Sequence, residues 1–173
     1  MKLENKNPNI IIVSGKARSG KNTVADMIEK NTNKKTVQIA YADYLKMYAK
    51  KITDEEKPRE LLQILGVELI KTHVNENMLI NRIVEDIKVY SFFFEQIIIT
   101  DARFESEITT IKSNFKNSIS IRVIGGNSDL TEKQKNHKTE TGLDEFNDYD
   151  FVIENNGTLN DLEEKVREIL KWK

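Results

Sequence analysis

The run Gly15-Lys16-Ala17-Arg18-Ser19-Gly20-Lys21-Asn22-Thr23 limits this chain more than any other stretch. It follows the largely apolar Asn9-Ile10-Ile11-Ile12-Val13-Ser14 and precedes Val24-Ala25-Asp26-Met27-Ile28, whose apolar spacing is helical. Strand, glycine-rich loop, lysine and helix in that order make a phosphate-binding loop. The glycines let the backbone wrap an anion and aim successive N–H groups inward. A helix beginning near Gly20 adds its positive end, and Lys21 supplies a mobile ammonium for terminal phosphates. Residues Gly15 to Thr23 are therefore the expected ligands of the ATP phosphates. One position departs from the usual pattern, which has Ser or Thr after the lysine to hold Mg²⁺. Here Asn22 stands in that place with Thr23 next, and either the amide oxygen or the hydroxyl serves, directly or through water.

At 173 residues the chain fits a single domain with one real core. Its formal charge of -1 argues against broad electrostatic binding to a nucleic-acid polymer or an anionic membrane. The sequence has no cysteine, which excludes disulfides, zinc–cysteine sites and thiol catalysis. No apolar segment precedes the first strand, and nothing later approaches the length of a membrane span. A soluble cytoplasmic protein is expected, with a homodimer left open.

Strands are expected at Ile10–Ser14, Val37–Tyr41, Gln96–Asp101, Ile119–Ile124 and Phe151–Glu154, with helices between them. Continuous apolar runs such as Ile97-Ile98-Ile99 suit strands covered on both faces, and Ser118–Val123 alternates, as nearer an edge. The expectation is an α/β chain: a three-layer P-loop NTPase fold with a five-stranded, mainly parallel sheet and helices on both faces. A helical insert over about 42–92 is the expected acceptor-binding part. Pro58 opens one of its helices, through Leu61, Leu62, Leu65 and Leu69, and Ile80, Ile83, Val84 and Ile87 stripe another. Thr158 and Asp161 read as a capping box for the last helix. A candidate closing lid spans about 125–147, opening at Gly125-Gly126-Asn127-Ser128 and carrying Lys133, Lys135 and Lys138. The alternative for that stretch is a solvated lysine-rich loop.

The phosphate loop implies nucleotide binding without fixing the reaction. Asp101 ends an apolar strand, where P-loop enzymes keep an acid on the Mg²⁺ side; the bland alternative is a solvated strand-end acid. Ala102 follows it instead of a second acid, which disfavours hydrolysis as the main activity. Asp101-Ala102-Arg103-Phe104 lacks the glycine of a GTP switch, and no Asn-Lys-x-Asp occurs. Arg18 in the loop and Arg103 beyond Asp101 are placed to neutralise phosphate charge. Lys21, Arg18, Asp101 and Arg103 are thus the catalytic candidates, and Asn22, Thr23 and Asp101 the metal candidates. For Arg59 and Arg82 a helix-surface ion pair is the competing reading. His137 touches substrate or is simply a surface histidine; His73 reads as a helix-terminal residue.

These residues resemble the phage-type deoxynucleoside monophosphate kinases. The phosphate loop is similar to that family's G-x-x-R-S-G-K-D-T-x-A-D, with Asn22 in place of its Asp. Tyr41-Ala42-Asp43-Tyr44-Leu45-Lys46, Arg59–Glu68, Thr100–Glu107, His137–Leu143 and Tyr149–Leu159 resemble its later segments in order. Met78-Leu79-Ile80 departs from it, standing where a tryptophan is frequent. The resemblance implies transfer of the ATP γ-phosphoryl group to a deoxynucleoside 5′-monophosphate, with Mg²⁺. Asp43, Lys46, Arg59, Gln63, Arg82 and Arg103 are the corresponding acceptor-pocket candidates. Dephospho-coenzyme A kinase, an animal-type phosphomevalonate kinase and a non-catalytic nucleotide-binding module remain the alternatives.

Overall fold

Alternate residues of the first strand enter two different cores. Ile10 and Ile12 pack with Ile39, Ile83, Ile87, Ile97, Ile99 and Ile108. Ile11 and Val13 pack with Val24, Ile28, Ile98, Val123, Ile153 and Val166. That is the signature of a strand buried on both sides. The computed structural model describes residues 3–55, 58–125 and 136–171. Its strands are β1 (Asn9–Ser14), β2 (Thr36–Ile39), β3 (Gln96–Ala102), β4 (Ser118–Gly125) and β5 (Phe151–Asn155). They form one sheet in the order β2-β3-β1-β4-β5, and every pairing is parallel, so the sheet is wholly rather than mainly parallel.

The helices are α1 (Lys21–Lys30), α2 (Tyr41–Ile52), α3 (Arg59–Gln63), α4 (Met78–Tyr90), α5 (Glu105–Asn114), α6 (Lys138–Thr141) and α7 (Leu159–Leu170). Helices α1 and α7 cover one face of the sheet, and α2, α4 and α5 the other. The capping box of α7 is present: the Thr158 amide donates to Asp161 Oδ2 at 2.7 Å, and the Asp161 amide to Thr158 Oγ1 at 3.3 Å. No helix among the described residues is long and apolar enough to cross a membrane.

Three local features of the fold have identifiable causes. The second strand stops at Ile39, because the Tyr41 and Ala42 amides are claimed by the Asp101 carboxylate and open α2. Strand β4 lies beside the edge strand β5, nearer an edge than β1 as its alternation suggests, but it is itself paired on both sides, so its polar positions need partners. The buried Ser120 donates its amide and hydroxyl to Asp150, at 2.7 and 2.8 Å. Beyond α3 the backbone widens into a π-helical segment, Ile64–Val74. Its spacing carries the buried stripe from Leu65 to Ile70, which is 5% exposed, and turns Leu69 outward to 43%.

Candidate active site

Parallel pairing places the carboxyl ends of β1 and β3 side by side, with Ser14 opposite Ala102. Ligands of open α/β sheets bind at that end. The loop from Gly15 to Gly20 therefore lies against the chain that leaves β3 at Arg103. Gly15 is required there by close approach, since a Cβ would fall 2.5 Å from both Ser19 Oγ and the Val123 carbonyl oxygen. Gly20 has φ 95° and a Cβ on it would strike the Asn155 amide nitrogen, so both conformation and space demand glycine. Asn155 props the loop from the far side by donating to the Ser19 carbonyl at 3.0 Å. Arg18 is held at φ 61°, a left-handed conformation that costs a non-glycine residue about 1–2 kcal/mol. Its side chain is exposed.

Lys21 is buried, and its Nζ donates to the Lys16 carbonyl at 2.8 Å. Burial first, and then the neighbouring Arg103 guanidinium, pull the ammonium down to about 8. Lys16 itself pairs with Asp144 at 2.9 Å.

Next to the loop opens a cavity of about 340 Å³. Its walls come from α2, α3, the π-helical segment, the start of α4, the end of β3 and α6. Leu45, Leu62, Ile70, Leu79, Ile80 and Phe104 supply apolar surface. Lys46, Arg59, Gln63 and Arg103, four of the expected acceptor residues, supply polar groups. The other two stand elsewhere. Asp43 is exposed and pairs with Lys46 at 2.9 Å. The Arg82 guanidinium lies over the Tyr44 ring, 5.1 Å from its centroid, so neither residue lines the cavity.

Asp101 does more than the sequence suggests. Its two oxygens accept the Tyr41 and Ala42 amides at 2.8 and 2.9 Å, capping α2 from a different element. Burial pushes this carboxyl up, against the opposing pull of those amides. Each oxygen retains a second lone pair, and Asp101 and Asn22 line the same cavity. That suits Mg²⁺, which takes one or two protein oxygens and fills its octahedron with waters and phosphates. Thr23 is half-buried. Among the described residues no group of three or more His, Cys, Asp or Glu gathers into a metal cage.

Two buried acids of the cavity wall, Glu107 and Glu140, fall within the segments Thr100–Glu107 and His137–Leu143 but are not among the expected site residues. Glu107 is buried and accepts the amides of Arg103 and Phe104, at 2.6 and 3.1 Å. Burial, helped by the nearby Asp101 charge, raises its carboxyl to about 7. Glu140, on α6, accepts the Ala17 amide at 2.8 Å, Arg59 Nη2 at 3.1 Å and Arg103 Nη1 at 3.2 Å. Arg103 Nη1 also reaches the carbonyls of Gly15 and Thr139, both at 3.3 Å. The Arg59 ion pair is thus part of the site wall rather than a helix-surface pair. His137 caps α6, its Nδ1 accepting the Thr139 amide at 3.3 Å, and His73 is exposed at the end of the π-helical segment. Gly126, Asn127, Ser128, Lys133 and Lys135 lie outside the described residues, while Lys138 begins α6.

A family model described as deoxynucleotide monophosphate kinase matches residues 33–166. The matched stretch holds β2, the cavity walls, Asp101, Arg103 and Glu140, and it begins after the phosphate loop. No curated protein matches by sequence. Solved structures match over nearly the whole chain. An APS kinase of Mycobacterium tuberculosis is 7% identical with a TM-score of 0.56, covering 95% of this chain and 97% of its own. A gluconokinase of Sinorhizobium meliloti is 16% identical with a TM-score of 0.58, covering 95% and 92%. Shikimate kinase of Aquifex aeolicus is 11% identical with a TM-score of 0.51, covering 94% and 96%. At such identities these likenesses speak for the fold.

Proposed function

This chain belongs to the deoxynucleotide monophosphate kinase family, and we propose how its residues move the γ-phosphoryl group of ATP to a deoxynucleoside 5′-monophosphate. The observation that carries this reading is the adjacency of the phosphate loop and a half-apolar cavity walled by Arg59 and Arg103. The donor phosphates lie along the loop from Gly15 to Thr23, on amides other than that of Ala17, which Glu140 takes. Lys21 exchanges the Lys16 carbonyl for the terminal phosphate oxygens. The acceptor's base enters among Leu45, Ile70, Leu79 and Phe104, with the Gln63 amide available to its polar edge. Its phosphate meets Arg59 and Arg103, which neutralise charge as the phosphoryl group crosses.

No general base is required, because the attacking oxygen belongs to an anionic phosphate. Positioning and charge stabilisation carry the catalysis, as in other phosphoryl transfers. A bound Mg²⁺ would supply positive charge against the donor phosphates. Asn22 or Thr23 on the loop and Asp101 at the end of β3 are the groups that would hold it. Arg18, at the exposed edge of the loop, adds positive charge on the solvent side.

The test is a panel of acceptors with ATP and Mg²⁺, read as ADP released per acceptor consumed. Turnover is expected with one or more deoxynucleoside monophosphates and none with dephospho-coenzyme A or phosphomevalonate. Turnover of dephospho-coenzyme A alone overturns the reading, and binding of ATP without any turnover supports a non-catalytic module instead.

A further inference from the structure

Anion sites are built from donors and cations, so a buried carboxylate inside one needs a reason. Glu140 is 3% exposed at its side chain, beside a phosphate loop and between two arginines. Its negative charge opposes any phosphate that enters. A site shaped for affinity alone would carry an uncharged residue there.

The bonding pattern supplies the reason. Oε2 takes the Ala17 amide of the donor loop and the Arg103 guanidinium; Oε1 takes Arg59 from the start of α3. One rigid group thereby touches the loop after β1, the chain after β3 and the acceptor-side insert, which lie 123, 37 and 81 residues away in sequence. Two guanidinium groups this near each other repel, and the carboxylate between them removes that repulsion while leaving one net positive charge. Each carboxylate oxygen takes a different arginine, so the bridge fixes where both guanidinium groups sit. Arg59 Nε, buried and without a hydrogen-bond partner, is left as a donor on the same side chain.

We infer that Glu140 is a positioning residue that sets the distance between the donor loop and the arginines that meet the acceptor. It acts through Arg59, Arg103 and Ala17 and touches neither substrate. This inference rests on the kinase reading above. Its consequence is a split: losing Glu140 lowers kcat while leaving ATP binding nearly intact, because Ala17 gives the loop's one amide bond to Glu140 and the Lys21 Nζ bonds the Lys16 carbonyl instead.

The test compares the unsubstituted protein with Glu140→Gln and Glu140→Asp, using the nucleotide the unsubstituted protein accepts. Gln presents an N–H₂ group to one guanidinium and drops that arginine; Asp keeps the charge but withdraws it by one methylene. A displacement of about 1 Å is worth up to ~10²-fold in rate. Glu140→Gln is therefore expected to lose ~10²-fold in kcat and Glu140→Asp ~10-fold, with the ATP Kd by calorimetry within about threefold of the original. Normal kcat in either folded variant overturns the inference. So does a parallel fall in kcat, ATP affinity and melting temperature, which is the mark of a merely structural residue. Should Glu140→Gln not fold, Glu140→Asp carries the test. If the unsubstituted protein turns over no nucleotide, the kinase reading fails and takes this inference with it, an outcome distinct from active protein with unaffected variants.

Discussion

The Lys21 ammonium rests 2.8 Å from the carbonyl oxygen of Lys16, five residues earlier in the same loop. The contact satisfies one proton of a buried cation whose charge the low-dielectric surroundings disfavour. With its pKa drawn down to about 8, the ammonium begins to lose its proton in mildly alkaline solution. The kcat/KM for ATP should therefore fall about tenfold per pH unit above roughly 8. Bound phosphates stabilise the ammonium, so kcat itself should hold to higher pH. Lys21→Ala should lower turnover at least ~10²-fold and abolish the alkaline limb. A pH–rate profile of both proteins checks this; an identical limb in the variant contradicts it.

Arg103 Nη1 lies 3.2–3.3 Å from the Gly15 and Thr139 carbonyls and Glu140, and a lysine there would lack the further N–H donors of the planar guanidinium. Arg103→Lys should lower kcat by ~10²–10³-fold with little change in ATP affinity. Arg59 is 41% exposed at its side chain and opens on the cavity, so Arg59→Gln should raise the acceptor KM more than it lowers kcat. Steady-state kinetics with each substrate varied in turn separates the two.

Much of this machinery is legible in the sequence because its signals are local. The phosphate loop, the apolar runs of β1 and β3 and the Thr158–Asp161 cap each sit within a few neighbouring residues. Asp101 and Arg103 follow from their place at a strand end. The roles of Glu140 and Asn155 do not: both fall in short segments noted from sequence, but they reach the loop from 123 and 136 residues away, and no local pattern encodes that contact. Asp101's capping of α2 is likewise a contact between elements, which is why Tyr41 reads as strand and folds as helix. Arg82 looks like a phosphate ligand by type alone, and its stacking on Tyr44 has no sequence signal.

The π-helical winding makes a stability prediction that an α-helical spacing reverses. Ile70 is 5% exposed and Leu69 is 43% exposed. Ile70→Ala should cost about 2–5 kcal/mol, whereas Leu69→Ala should cost no more than about 1 kcal/mol. Urea unfolding of the two variants distinguishes them, and a larger loss at Leu69 would restore the α-helical register.

Glu107 gives stability a pH dependence of definite sign. Its ordinary value is 4.5 and its folded value about 7, raised chiefly by burial. Between those values the folded protein binds more protons than the unfolded chain, so this group's contribution to stability falls as pH rises. Over the whole window the loss is at most ~3 kcal/mol. Glu107→Gln keeps an oxygen for the Arg103 and Phe104 amides and removes the titration. Melting temperatures from pH 4.5 to 7.5 should show the variant gaining on the original as pH rises; a constant difference rules the ionisation out.

The central claim, that this chain moves phosphate from ATP onto a nucleotide, is tested most directly by following the phosphorus atom. Isotopically labelled γ-phosphate of ATP, incubated with Mg²⁺, the protein and each deoxynucleoside monophosphate, should appear at the β-position of a deoxynucleoside diphosphate in a one-to-one ratio with ADP. Label recovered as inorganic phosphate, or left on ATP with every acceptor, would contradict it.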